Sequence, residues 1–143
     1  MSIMDMHSIQ SNSRAIFVYS LPSYIEKRMK MIGFNYNLFI DKIREIDGVE
    51  VHDLNRDFFN STHSCKILII LGEFVESKRA LLLQDGSLFP IDELITSISA
   101  SCNDVEVIDC AFCLSGLLHD ELKMHTDALV NTNNDSTQVE ARL

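Results

Sequence analysis

Apolar runs alternate with amphipathic stretches along the chain, and this order predicts an α/β fold. Residues 15–19 form a first apolar run that is typical of a buried strand. Residues 66–71 read KILIIL, the most apolar run of the sequence, which predicts a central parallel strand buried on both faces. Residues 49–54 alternate apolar and polar side chains, as a half-buried edge strand does.

Four segments are predicted to be helical. One begins after Asn35, a predicted N-cap, and stops at Gly48. A second covers residues 90–99, a short one lies within residues 20–33, and a last one covers residues 117–130. The side chains expected to point inward on the first two are Leu38, Phe39, Ile43, Ile46, Ile91, Leu94, Ile95 and Ile98.

The clearest turn signal is Asp85-Gly86, which separates the apolar runs 80–83 and 88–89. It predicts a hairpin, because glycine accepts the positive φ of a tight turn. A further strand is predicted over residues 105–108. Strands and helices in this order predict a mainly parallel sheet with helices on both faces.

The chain has 143 residues, enough for one domain with a hydrophobic core. We expect this domain over residues 14–130, after a flexible leader at 1–13 and before a disordered polar tail at 131–143. No apolar run approaches the roughly 20 residues needed to cross a bilayer, and the N-terminus lacks the apolar centre of a secretory signal. The sequence therefore predicts a cytoplasmic protein with no membrane association and with its four cysteines as thiols.

The formal net charge is -9, from 21 acidic and 12 basic side chains. Phosphate binding needs clustered Lys and Arg, so this balance argues against nucleic acid as a partner. Lys27, Arg28 and Lys30 form the one short basic cluster, which we interpret as a solvated helix face. An acidic surface favours solubility or a basic protein partner.

Functional residues of an open α/β sheet gather beyond the carboxyl ends of its strands. Two such ends are predicted here, at Leu71-Gly72-Glu73 and at residues 109–116. The second contains Cys110 and Cys113, a lone Cys-x-x-Cys. With His119 and His125 nearby a zinc site is conceivable, but small core thiols are the favoured interpretation.

The segment between these strand ends follows an ordered pattern: an apolar run at 81–83, Asp85-Gly86, a short strand, and a helix that contains Glu93-Leu94. A hydrophobic strand comes next and leads to a second motif. Its residues are Cys113, Leu114, Ser115 and Gly116.

In this order the motifs resemble the caspase-like cysteine proteases, particularly the CHAT and metacaspase branches. Residues 113–116 are similar to the Cys-His-Ser-Gly of metacaspases and the Cys-x-Thr-Gly of CHAT proteins. The resemblance covers roughly residues 14–118. It implies a caspase-like (caspase-hemoglobinase) sheet equivalent to the large-subunit first half of the enzyme, with little chain left to form the second half.

The resemblance also implies roles for single residues. Cys113 is the candidate nucleophile, or Cys110 if its strand ends earlier, and Asp109 stands near an aspartate of metacaspases. The family carries its histidine at the end of the central strand, usually inside Gly-His-Gly. Here Gly72 fits the second glycine and Leu71 takes the histidine's place. Leucine can neither accept nor donate a proton.

The sequence therefore favours a catalytically inactive, caspase-like pseudo-protease. It would be a regulatory or interaction module that binds another protein or a second copy of itself, without metal or cofactor, with Gly72, Asp109 and Gly116 as the expected binding residues. On this hypothesis, Leu71 faces Cys113 or Cys110.

Two alternatives stay open. One is an active CHAT-type cysteine endopeptidase in which Cys113 is the nucleophile and an unorthodox base replaces the missing histidine. The histidines weighed for that base are His52, His63 and His119. The other is an unrelated flavodoxin-like binding domain.

Overall fold

The computed structural model describes residues 13–111 and 115–132, so the predicted leader before Ser13, Cys113 and the tail from residue 133 lie outside the described residues. The strands are β1 (Ser13–Tyr19), β2 (Val49–Asp53), β3 (His63–Leu71), β4 (Glu73–Val75), β5 (Ala80–Leu82), β6 (Leu88–Pro90), β7 (Cys102–Asn103), β8 (Val107–Cys110) and β9 (Leu129–Asn131). The helices are α1 (Ser23–Met31), α2 (Tyr36–Arg44), α3 (Ile91–Ser101) and α4 (His119–His125), and short 3-10 turns lie at Phe58–Asn60, Glu76–Lys78 and Ser115–Leu118.

The main sheet has the strand order β2-β1-β3-β8-β9, and each neighbouring pair is parallel. The short strand β7 pairs with the amino end of β3. This topology confirms the α/β class, the central position of residues 66–71 and the edge position of β2. Parallel strands need long crossovers, which the helices provide.

Helices cover both faces of the main sheet. Because side chains alternate along a strand, Phe17 of β1 points to one face while Ile16 and Val18 point to the other. Ile40 and Ile43 of α2 pack on the side of Phe17. Helices α3 and α4 pack on the side of Ile16 and Val18, where most of the core lies.

A second, antiparallel sheet of three strands, β4-β5-β6, follows β3 directly. The predicted hairpin is its β5–β6 pair. Gly86 has a φ of 88° in the turn, and the side chain of Asp85 accepts a hydrogen bond from the amide nitrogen of Ser87 at 2.9 Å. The pattern did not predict β4, because a three-residue strand carries too little periodicity to be read.

The N-cap of α2 is confirmed, but the predicted end of the helix is wrong. The Asn35 Oδ1 accepts a hydrogen bond from the amide nitrogen of Leu38 at 3.1 Å. The helix ends at Arg44, four residues before Gly48. Gly48 has a φ of 79° and instead forms the turn into β2, where its carbonyl oxygen accepts a bond from Ala15.

The expected inner face of α2 was also partly wrong. Leu38 and Ile46 are each about half exposed, whereas Ile40 and Ile43 are buried. At roughly 100° per residue, Leu38 lies nearly opposite Ile40 on the helix, so the two cannot share a face. The helix of residues 91–101 buries Ile91, Leu94, Ile95 and Ile98, as predicted.

The prediction of one helix over residues 117–130 was wrong beyond His125. Strand β9 follows α4, and the amide nitrogen of Leu129 donates to the carbonyl oxygen of Glu106 at 2.8 Å. This strand adds a fifth parallel member to the sheet and extends through Asn131. Periodicity alone does not separate a short apolar strand from a helix segment.

Arg56 connects the loop after β2 to α3 and β6. Its Nε and Nη2 lie 2.6 and 3.1 Å from the two carboxylate oxygens of Glu93, and Nη2 also donates to the carbonyl oxygen of Leu88 at 3.2 Å. Its guanidinium carbon lies 4.9 Å from the ring centroid of Phe89. This geometry uses the planar fork of arginine, which lysine lacks.

Substitution Arg56→Lys should lower the free energy of unfolding by about 1 kcal/mol. Lysine only partly replaces the bidentate pair with Glu93 and the contact with the Phe89 ring. The loss stays small because Arg56 and Glu93 are both half exposed. Urea unfolding would measure the change. Arg44→Lys is the matched control, since Arg44 makes a single exposed contact of 3.8 Å with Asp41. Equal losses in both variants would contradict the assigned role of Arg56.

Candidate functional site

The carboxyl ends of β3 and β8 lie side by side at one edge of the main sheet. Ile70 is paired with Cys110, and the amide nitrogen of Ala111 donates to the carbonyl oxygen of Ile70 at 2.8 Å. The end of β1 joins them, since the amide nitrogen of Ser20 donates to the carbonyl oxygen of Leu71 at 3.0 Å. Ligands of open α/β sheets bind at this edge.

Leu71 and Cys110 lie on opposite faces of the sheet, so the expectation that Leu71 faces Cys110 was wrong. Leu71 is 4% exposed and packs with Phe17 of β1 and with α2. Cys110 is 1% exposed and belongs to the larger core beside Ile70. Ile70 and Cys110 are paired, and Leu71 is one residue further, where the alternation of the strand turns it to the other face.

Of the two candidate nucleophiles, the structure describes Cys110 but not Cys113. Strand β8 runs from Val107 to Cys110, two residues later than the predicted 105–108. The strand ends at Cys110, three residues before Cys113, which is the condition under which Cys110 takes the nucleophile's place; the thiol of Cys110 is buried. Cys113 lies outside the described residues.

Asp109 is a carboxylate in a nearly buried position, 8% exposed. It stands between Ile69 of β3 and Asn131 of β9 in the register of the sheet. Because it precedes Cys110 in the strand, its side chain points to the opposite face from that thiol.

The two glycines expected at the site differ in their surroundings. Gly72 joins β3 to β4, and a Cβ added to it would lie 3.8 Å from Leu54 and from Leu81, which is ordinary contact. Its small size is therefore not required by the local packing. Gly116 is half-buried in the 3-10 turn Ser115–Leu118.

Glu73 is a half-buried carboxyl at this edge that the sequence does not predict as a site residue. It opens β4 directly after Gly72 and is half-buried. Burial raises the pKa of its carboxyl, and attraction to the Arg28 guanidinium on α1 partly opposes that rise. Carboxyls with raised pKa values are frequent at functional sites. No sequence signal marks this residue, since its burial depends on the tertiary packing around β4.

The histidines considered as replacement bases have their own local partners. His63 opens β3, at the end opposite Leu71 as predicted, and its ring stacks on Phe58 with centroids 4.0 Å apart. The His52 ring centroid lies 5.2 Å from that of Phe58 and 5.8 Å from that of His63. His119 lies at the start of α4, with its Nδ1 3.4 Å from an oxygen of Asp120.

The thiols of Cys65 and Cys102 lie in desolvated surroundings typical of core side chains. Burial raises the pKa of Cys65 to about 11 and that of Cys102 to about 12. Among the described residues, no group of three or more His, Cys, Asp and Glu side chains is placed to hold a metal ion. Within the same parts of the chain, no helix has the length and apolar character needed to span a bilayer.

Comparison of the chain with family models, with curated proteins and with solved structures gives no match.

Substitution Glu73→Gln should stabilise the protein near pH 7 and leave its stability unchanged near pH 4, because a raised folded-state pKa makes ionisation unfavourable for the folded state. The folded chain keeps this proton to a higher pH than the unfolded chain does. Stability linked to the group is therefore present at low pH and falls as pH rises through the raised pKa.

Urea unfolding of both proteins at about these two pH values would measure the difference. Glu76→Gln is the control, since Glu76 is exposed three residues further along the chain. A pH-independent gain for Glu73→Gln, or an equal gain in the control, would contradict the role of burial.

Proposed function

We propose that this chain is a caspase-like domain without a catalytic base, and that it acts as a protein-interaction or regulatory module. The observation that carries the proposal is the residue at position 71. The resemblance assigns that position to the catalytic histidine, and here it holds a leucine that is packed into the core between β1 and α2.

The chain order of the elements supports the caspase-like part of the proposal. Strand β3 is followed at once by the small antiparallel sheet with its Asp85-Gly86 turn, then by α3 with Glu93-Leu94, and then by β8. These are the features from which the resemblance was drawn, in the same order. The carboxyl ends of β3 and β8 are adjacent, as a site formed by these two strands requires.

The chemistry of the site supports the inactive part. A cysteine nucleophile reacts as a thiolate, and at neutral pH an unassisted thiol with a pKa near 8.5 is mostly protonated. A positioned base contributes roughly 10²–10⁴-fold to such reactions. Leu71 supplies no proton acceptor, and Cys110 is buried. A domain with this edge is better suited to binding than to hydrolysis.

The strand order also favours a second candidate, a flavodoxin-like binding domain. Numbered within the main sheet alone, the order is 2-1-3-4-5, which is the order of the flavodoxin-like doubly wound fold. The antiparallel sheet inserted after β3 is an addition to that plan. Both candidates are binding proteins. They differ in whether Cys113 corresponds to the nucleophile of a cysteine protease.

The test is the pH dependence of the alkylation rate of each cysteine in the folded protein, followed by mass spectrometry. Under the proposal, Cys113 follows an ordinary thiol profile and reacts about two orders of magnitude more slowly at pH 6 than above pH 9. Cys65 and Cys102 should react slowly throughout, because burial raises the pKa values of both thiols.

Denatured protein provides the control, since all four cysteines should then react alike. Rapid alkylation of Cys113 below about pH 7 would require an activating group and would overturn the inactive assignment. In that case Cys113→Ala should abolish cleavage of a protein substrate while Cys65→Ala should not, and the endopeptidase alternative would replace the proposal.

A further inference from the structure

The outer face of α1 combines cations with large exposed apolar side chains. Tyr24, Lys27, Arg28 and Met31 are three or four residues apart and so share one face of the helix. Met31 is 85% exposed, and Ile32, which follows at the helix end, is 76% exposed. The α1 surface is defined as Tyr24, Lys27, Arg28, Met31 and Ile32; Lys30 is two residues from Arg28 and lies on the other side of the helix.

The cations of the α1 surface have no ion-pair partner among the described residues. Lys27, Arg28 and Lys30 are all exposed and make no such pair, and Arg28 acts on Glu73 only through longer-range attraction. Of the eight other Lys and Arg side chains in the described residues, four form ion pairs. The ion pairs are Arg44–Asp41, Arg56–Glu93, Lys66–Glu106 and Arg79–Glu121.

The charge of this surface is opposite to that of the chain as a whole. The formal net charge is -9, yet three of the 12 basic residues lie within four positions of α1. Large exposed apolar side chains gathered in one place mark interaction sites. A solvated helix face explains the cations but leaves Met31 and Ile32 unexplained.

We propose that the α1 surface binds an acidic segment of a partner protein, with apolar side chains spaced between its carboxylates. The carboxylates would meet the unpaired Lys27 and Arg28, and the apolar side chains would cover Met31 and Ile32. The inference rests on the proposed function and deepens it by naming the chemistry of the partner. An anionic membrane fits less well, because the rest of this acidic chain would be repelled by it.

The experiment uses the full chain and a fluorescein-labelled synthetic peptide of about four helical turns, with Leu on one face and Glu at most other positions. Fluorescence anisotropy measures the Kd. The Lys27→Glu/Arg28→Glu and Met31→Ser/Ile32→Ser variants should each raise that Kd by about tenfold or more. A peptide with Gln in place of Glu should bind at least about tenfold more weakly than the acidic one.

Matched controls are available on the same chain. Lys42→Glu/Lys78→Glu changes the net charge by the same amount, and Lys42, like Arg28, lies in the last turn of its helix. Met124→Ser/Leu129→Ser removes two other exposed apolar side chains. Both controls should bind the peptide as the parent chain does. Circular dichroism confirms that every variant is folded.

Several outcomes would overturn the assignment: no binding of the acidic peptide, equal losses in the control variants, or equal binding of the Gln peptide. Preferential binding of phosphatidylserine vesicles would identify a membrane surface instead. A monomer–dimer equilibrium abolished only by the α1 variants would identify a second copy as the occupant. Mass spectrometry of the recovered peptide separates the two proposals. Cleavage of the peptide would contradict the inactive scaffold but not the α1 binding surface.

Discussion

The burial of β3 between β1 and β8 is the constraint on which the rest of the structure depends. This strand pairs along its length with β1, and it also pairs with β8 and β7. Leu68 and Ile70 enter the larger core, while Leu71 enters the core beneath α2. A strand that is apolar on both faces is stable only when helices cover both, so its sequence requires a layered α/β arrangement.

The same strand determines the character of the carboxyl edge. Position 71 is the last residue of β3, where a functional side chain of an open sheet would stand, and it is also part of the core on the face of α2. An imidazole in this apolar position would be desolvated without an evident partner, which is costly. At this position, leucine packs in the core and offers no proton acceptor. The proposal of an inactive scaffold depends on this one choice of side chain.

The distribution of charge supports a binding role. Helix α1 of this acidic chain carries Lys27 and Arg28, which have no ion pair among the described residues, next to the uncovered apolar side chains of Met31 and Ile32. Beside it, Arg28 lies near the half-buried Glu73 at the carboxyl edge. The α1 surface and the carboxyl edge are therefore neighbouring parts of the molecule. A partner on α1 would change the electrostatic surroundings of Glu73.

Features with strong local signals could be predicted from the sequence. The apolar run of β3, the Asp85-Gly86 turn and the Asn35 cap each depend on a few neighbouring residues, and each is observed. Strands β4 and β9 were missed, because they have no periodicity of their own, no turn signal marks them, and they form only where a partner strand offers its hydrogen bonds.

The candidate site divides in the same way. The sequence by itself determined the parallel order, the convergence of two strand ends and the absence of a histidine at position 71. Only the tertiary structure decided that Leu71 and Cys110 lie on opposite faces, that Glu73 is half-buried, and that Met31 and Ile32 are uncovered. The reason is physical: periodicity and turn chemistry act between near neighbours, whereas register and burial depend on which distant segment packs against each residue.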